Sequence, residues 1–258
     1  MLKEVANSDE ASKHSVIRFF GTDIDRQGGT VLIFERVDAS SFDSDLENMT
    51  AQNIVEYMYK LLQALNYLHK QDVVHRDVKP ANFLHNFQSE TFRLIDFGSA
   101  ERGTQGFVRK GGGTRGFRAP EILFGKSEQT AAVDVWSAGI ILLTLITGIP
   151  NILSRQEKNM TGIDCDAIHL KEIGCIVGNS EMREIGDTSD GYGGGIRHEN
   201  NTGWAAKALQ SAIPGRKLNN GDHALDLLSK MLKVQSSKRI TTEDALKHPF
   251  LQSAVNRE

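Results

Sequence analysis

Cysteine is scarce in this chain, with only Cys165 and Cys175 among 258 residues. His169 lies between them, but no fourth ligand sits at a fitting spacing. A structural zinc site is therefore not expected, and buried, reduced thiols on a helical stretch are. Long apolar runs are also lacking. The longest, Ala138 to Ile149, is short and carries Thr144 and Thr147, which suits a buried core helix better than a membrane span. No secretory signal is visible at the start, so the Asn-x-Thr tripeptides at Asn48, Asn159 and Asn200 carry no expectation of glycans. Neither charge sign dominates: 30 Lys and Arg against 33 Asp and Glu leave a formal net charge of −3. That excludes an overall attraction to nucleic acid or to an anionic membrane, and no direct contact with either is expected. The 39% hydrophobic and 24% charged content is ordinary, and suffices for one large domain or two lobes.

The informative residues are concentrated. His75-Arg76-Asp77-Val78-Lys79-Pro80-Ala81-Asn82 is followed, after a short hairpin, by Asp96-Phe97-Gly98. An Asp, a Lys two residues on, an Asn five residues on and then a second Asp suit phosphoryl transfer. In that chemistry a protein positions two substrates and neutralises charge. Asp77 would accept the hydroxyl proton and aim the nucleophile, and Lys79 would lie against the γ-phosphate. Asn82 and Asp96 would offer hard oxygen ligands to Mg²⁺. Each short motif is weak alone. Here Arg118-Ala119-Pro120-Glu121, Asp134-Val135-Trp136-Ser137-Ala138-Gly139, Arg239 and Ala245-Leu246-Lys247-His248-Pro249-Phe250 follow in order. The ordered set resembles the protein kinases, and Lys79 at its spacing resembles the serine/threonine class.

Patterning predicts an α+β molecule, with strands first and helices afterwards. Val16 to Phe20 and Thr30 to Val37 read as an antiparallel pair around the polar stretch Asp23 to Gly29. Thr50 reads as an N-cap, followed by Ile54, Val55, Met58, Leu61, Leu62, Leu65 and Leu68 at helical spacing. Short strands are expected at Val73-Val74, Asn82 to His85 and Thr91 to Ile95. A hydrophobic helix over Ala131 to Thr147 ends at Gly148 and Pro150. His223 to Val234 and Thr242 to Leu251 read as amphipathic helices. Asp187 to Gly203, with Gly193-Gly194-Gly195, follows no strand and opens no clear helix, so an exposed linker is expected rather than a phosphate cradle.

From Val31 onward the chain resembles the cell-division-cycle-seven kinases, which license replication origins. His75 to Leu84 and Gly113-Thr114-Arg115-Gly116-Phe117-Arg118-Ala119-Pro120-Glu121 carry the resemblance, with Trp136 to Ile141 and Asp166 to Glu184 in support. It implies a kinase-like fold: part of a β-containing N-lobe over residues 1–37, then a mostly helical C-lobe over 38–258 with a variable, loop-rich insert at about 152–218. It implies ATP and Mg²⁺, a nuclear location (otherwise cytoplasmic), a dumbbell-former-four-type activator subunit, and the minichromosome maintenance helicase as substrate. It also implies roles for single residues. Phe34 would be the gatekeeper, with Glu35 and Val37 presenting backbone groups to adenine. Thr114 would bond near Asp77 and Lys79. Glu121 with Arg239, and Asp134, would be structural supports, and His75 is a packing residue.

Between Gly98 and Glu121 lie Arg102, Arg109, Lys110, Arg115 and Arg118 against one internal acid, Glu101. Such a surface would favour acidic or already phosphorylated peptides; solvated side chains, or pairing with a phosphate on the loop itself, are the alternative. Thr104 is the candidate for that phosphate, and a plain solvated threonine is its alternative. The front of the pattern is missing. Before the hinge the glycines are Gly21, Gly28 and Gly29, and the lysines are Lys3 and Lys13. None suits a Gly-rich loop over the phosphates or a strand lysine paired with a helical glutamate, for which Glu4 is a doubtful candidate. Loss of one preorganised charge-stabilising donor costs roughly 10²–10³ in rate. Ile17, Phe19, Leu32 and Phe34 are expected to be partly uncovered. Three readings follow: a truncated gene product, a catalytically dead binding module, or a chain whose front another polypeptide supplies.

Overall fold

The computed structural model describes residues 2–6, 9–104, 107–108, 111–125, 128–153, 163–178, 182 and 221–252. The predicted linker, including Gly193 to Gly195, lies outside them, as do Arg109 and Lys110. Two short helices, α1 (Leu2–Val5) and α2 (Asp9–Lys13), precede an antiparallel hairpin of β1 (Phe19–Ile24) and β2 (Thr30–Phe34). Helices α3 (Phe42–Leu46) and α4 (Ala51–Lys70) follow. The two-residue strands β3 (Val73–Val74) and β6 (Glu101–Arg102) pair with each other. Between them lies the hairpin of β4 (Phe83–Asn86) and β5 (Thr91–Leu94). Strand β7 (Phe107–Val108) pairs with β8 (Glu128–Gln129). The remaining helices are α5 (Pro120–Leu123), α6 (Ala132–Thr147), α7 (Ile163–Val177), α8 (Gly221–Met231) and α9 (Thr242–Leu246).

The core is built on α4 and α6. Thr50 opens α4 with a reciprocal cap: its hydroxyl accepts from Asn53 N–H at 3.2 Å, and the Asn53 side-chain oxygen accepts from Thr50 N–H at 3.0 Å. Ile54, Met58, Leu61, Leu62, Leu65 and Leu68 are all buried along one face. In α6 every residue from Val133 to Ile146 is buried, so this helix runs through the middle of the core. A β-carbon on Gly139 would meet Leu232 at 2.8 Å, and its absence lets the end of α8 approach closely. Gly148 closes α6 in the left-handed conformation, at φ 68°.

The predicted front strand is displaced. Val16 makes an isolated parallel bridge to Leu94, while pairing with β2 extends through Asp23 and Ile24. The Asp25 carboxylate accepts from the N–H groups of Gln27 and Gly29, at 2.8 and 2.7 Å. That tightens the turn to Asp25–Gly29 and frees the two preceding residues for the strand. Strand β2 ends at Phe34, short of the expected Val37. The closing helix is likewise split, because Pro249 starts a separate 3₁₀ turn over Pro249–Leu251.

Exposure of the hairpin also differs from expectation. Ile17 and Phe19 are buried, at 4% and 2% exposed, the first bonded through its N–H to Leu94 O and the second packed on Phe34, whereas Leu32 is 50% exposed. Phe20, Ile24, Val31 and Ile33 are exposed with it. The Cys175 thiol is half-buried rather than buried, and the Cys165 side chain lies outside the described residues. Among the described residues no helix is long and apolar enough to cross a membrane.

Candidate active site

The loop between β3 and β4 is held from below by Asp134 of α6, which is fully buried. Its two carboxylate oxygens accept from the N–H groups of His75 and Arg76, each at 2.8 Å. His69, at the end of α4, adds its Nε2 at 2.9 Å. Burial alone would raise the Asp134 pKa. The bonds from His69 and His75 outweigh it, and the carboxyl stays below its ordinary range. Sequence reasoning did not single out His69. The only hint was its place where α4 runs out into the loop.

Arg76 was missed as well. It sits at φ 66°, and its buried side chain donates to Gln129 Oε1 at 3.1 Å, Ser99 O at 3.2 Å and Gly111 O at 2.5 Å. Gly112 crosses it so closely that a β-carbon there would meet the guanidinium at 2.3 Å. Gly113 comes equally close, since a β-carbon there would meet Arg76 O at 2.9 Å, so these two glycines let the stretch between Gly98 and Glu121 lie across Arg76.

Fastening that segment brings four expected residues together. Asp77 accepts from Lys79 Nζ at 2.8 Å, from Thr114 N–H at 2.8 Å, from Thr114 Oγ1 at 2.6 Å and from Asn82 Nδ2 at 3.1 Å. Lys79 also donates to Thr114 Oγ1 at 2.7 Å. Burial pushes the Asp77 carboxyl up, yet the bonds from Lys79 and Thr114 bring it below the usual carboxylate range. A carboxylate so held is a weak base and a well-aimed acceptor. The Asn82 amide nitrogen is spent on Asp77 and the Asp77 carbonyl, at 2.9 Å, so its oxygen is the atom left to face a cation.

Asp96 adopts φ 62° and accepts from Gly98 N–H at 3.1 Å. Phe97 turns into the core edge-on to the fully buried His75, whose Nε2 lies 2.9 Å from Ile95 O. Asp96, with Phe97 and Gly98 beside it, lines a cavity of about 520 Å³. The cavity walls are apolar: Ile17, Leu32, Phe34, Val37, Leu84 and Ile95. Glu35 also lines the cavity, and its carboxylate is committed to bonds within the protein. It accepts from Arg18 N–H at 2.8 Å and from Arg93 Nε at 2.7 Å, which ties the end of β2 to β5.

An aromatic base fits between these apolar walls, and the oxygens of Asn82 and Asp96 fit Mg²⁺, which is held by one or two side chains plus substrate phosphates. Mg²⁺ there would supply neutralisation of charge on those phosphates.

Glu121 and Arg239 form a bidentate pair at 2.9 and 3.1 Å, and Arg239 also donates to the carbonyls of Ala132 and Lys233. Its guanidinium lies 5.1 Å from the centre of the Trp136 ring.

The basic stretch between Gly98 and Glu121 is less open than its composition implied. Arg102 pairs with Glu4, so the structure places the doubtful helix glutamate on this arginine. Arg118 donates to Gly113 O at 2.9 Å and faces Asp166 at 3.6 Å, while Arg115 is exposed. Thr104 is no plainly solvated threonine: its N–H and hydroxyl both donate to the Asp72 carboxylate, at 2.8 and 3.0 Å. A phosphate there would meet like charge. Thr104→Glu should therefore lower the melting temperature, by less than the core variants below, whereas Thr104→Ser should leave it nearly unchanged. A stabilised glutamate variant would refute this.

The chain belongs to the protein kinase family, whose domain matches residues 1–251. It is 31% identical to the probable cell division control protein 7 homologs 1 and 2 of Encephalitozoon cuniculi, over 88% of this chain and 74% of theirs. The mitogen-activated protein kinase homolog NTF6 of Nicotiana tabacum is 33% identical, with 81% of this chain and 53% of that protein covered.

Proposed function

We propose that the chain transfers the γ-phosphoryl group of ATP to serine and threonine hydroxyls of protein substrates, and does so in DNA replication and cell-division control. The Asp77–Thr114–Lys79 triangle carries the chemical reading. Asp77 orients the incoming hydroxyl and takes its proton late, as a carboxylate of low basicity would. Lys79 stands beside it to meet the transferred group, and Thr114 locks the activation segment against both. Asn82 and Asp96 are the ligands for Mg²⁺. The Glu35 carbonyl and the Val37 N–H, which have no backbone partner among the described residues, are the hinge groups for adenine. The cellular role rests on the similarity to the cell division control protein 7 homologs. With it come a nuclear location, a dumbbell-former-four-type activator subunit and minichromosome maintenance substrates.

A second reading is a kinase-like module that binds without catalysing. Before the hinge the sequence holds no Gly-rich loop and no lysine on either strand. Melting with and without millimolar ATP and MgCl₂, beside phosphate incorporation into a protein substrate, separates the two. A ligand at a hundred times its Kd adds about 2.7 kcal/mol of stability. The enzyme reading expects such a shift, together with transfer that falls roughly 10²–10⁴-fold in Asp77→Asn. A shift without transfer would leave the binding module, and neither signal would sink both readings.

A further inference from the structure

A second cavity, of about 500 Å³, adjoins the acceptor centre, with Leu84 as a wall shared with the first. At one end it is lined by Lys79 and Thr114, the two residues bonded to Asp77. Most of its remaining wall is apolar: Phe42, Pro80, Ala81, Phe83, Phe117 and Pro150. Hydroxyls of Ser40, Ser41 and Thr144 and the exposed Asn151 carboxamide supply the uncharged polar part.

Its ionisable groups are committed or unhelpful to a charged guest. Lys79 is held by Asp77 and Thr114 at 2.8 and 2.7 Å. His85 is buried against Asp45 at 3.1 Å. Asp43 is exposed and repels an acidic side chain, while the Lys79 ammonium repels a basic one. Beyond the exposed Asp43 carboxylate for a base, or the already bonded Lys79 ammonium for an acid, a charge brought here would find no further partner and would lose its water against the apolar wall. An apolar side chain would instead leave water for an apolar wall.

We propose that this cavity receives an apolar side chain of the protein substrate, of the leucine, methionine or phenylalanine class, from a residue within a few positions of the phosphorylated serine or threonine. The proposal rests on the reading of Asp77 as the acceptor centre, because a chain that presents its hydroxyl there must pass the mouth lined by Lys79 and Thr114.

The test uses fluorescent serine peptides of otherwise constant sequence, in which one position at a time is leucine, alanine, lysine or glutamate. Binding to the full chain is read by anisotropy, and phosphate incorporation is read separately. At one position leucine should bind about tenfold or more tighter than lysine or glutamate, the scale expected for burying one aliphatic side chain. Ser41 and Ala81 are exposed at the cavity, so Ser41→Glu with Ala81→Glu should keep the fold, checked by melting, and move the preference to lysine. Ser41→Glu alone serves if the pair fails to fold. Leucine-selective binding without phosphate transfer would uphold the cavity and overturn the catalytic reading. Phosphorylation with no apolar preference would overturn the cavity alone. Failure of every peptide to bind, or a leucine preference untouched by the new carboxylates, would also overturn it.

Discussion

Arg239→Met is expected to lower the unfolding free energy by about 3–5 kcal/mol, because it strips a buried carboxylate of its partner. The guanidinium is held by Glu121, by backbone carbonyls and by the face of Trp136, with its side chain wholly out of water. Methionine restores much of the volume but none of the five donors. For a domain of this size each kcal/mol moves the melting temperature by about 2–4 °C, so thermal unfolding reads the loss directly. Removing the other charge too, in Glu121→Leu with Arg239→Met, should recover a large part of it, since no orphaned ion remains. A single variant as stable as the parent would show that the pair contributes little. No recovery in the double variant would assign the loss to the carbonyl and ring contacts instead.

Asp134→Ala should be comparably damaging, for a different reason. It orphans two buried N–H groups, those of His75 and Arg76, and each unsatisfied donor costs about 1–3 kcal/mol. The loss falls on the loop that carries Asp77, so amide exchange at His75 and Arg76 should quicken far more than exchange in α4. Asp134→Asn keeps one acceptor oxygen and should fall in between. The pH dependence has a definite sign. The Asp134 pKa is depressed in the folded chain. Its stabilisation is therefore complete above the ordinary aspartate value of about 3.9 and is lost as pH falls through the lower folded value. The alanine variant should show a shallower acid limb of stability. Equal acid sensitivity in parent and variant would contradict the assignment.

Much of this molecule can be read without coordinates because its signals are local. Spacing along α4 announces a buried face, Thr50 announces its start, and Gly148 announces the end of α6. The order of the motifs identifies the kinase family, and the residue types within them name a phosphoryl-transfer chemistry. Local signals fail where a partner comes from far along the chain. Nothing near Asp25 reveals that its carboxylate will shorten the turn and shift β1. Phe19 and Leu32 have similar apolarity, yet one is buried and the other exposed: the Phe19 ring packs on Phe34 and its N–H reaches back to Ala6 O, contacts that neighbours in sequence do not announce.

By itself, the sequence determined which groups are available: two acids, a lysine and an asparagine at kinase spacing, and no lysine on the strands before the hinge. Tertiary structure decided which of them meet. The chain must fold back 37 residues for Thr114 to reach Asp77, and 65 for Asp134 to reach His69. It also decided that Arg118 faces Asp166, that Thr104 is bonded to Asp72, and that a largely apolar cavity opens beside Lys79. The physical reason is range. Propensity and periodicity act over a few residues, whereas a hydrogen bond or a desolvated charge is sensitive to ångströms between segments that composition alone cannot bring together.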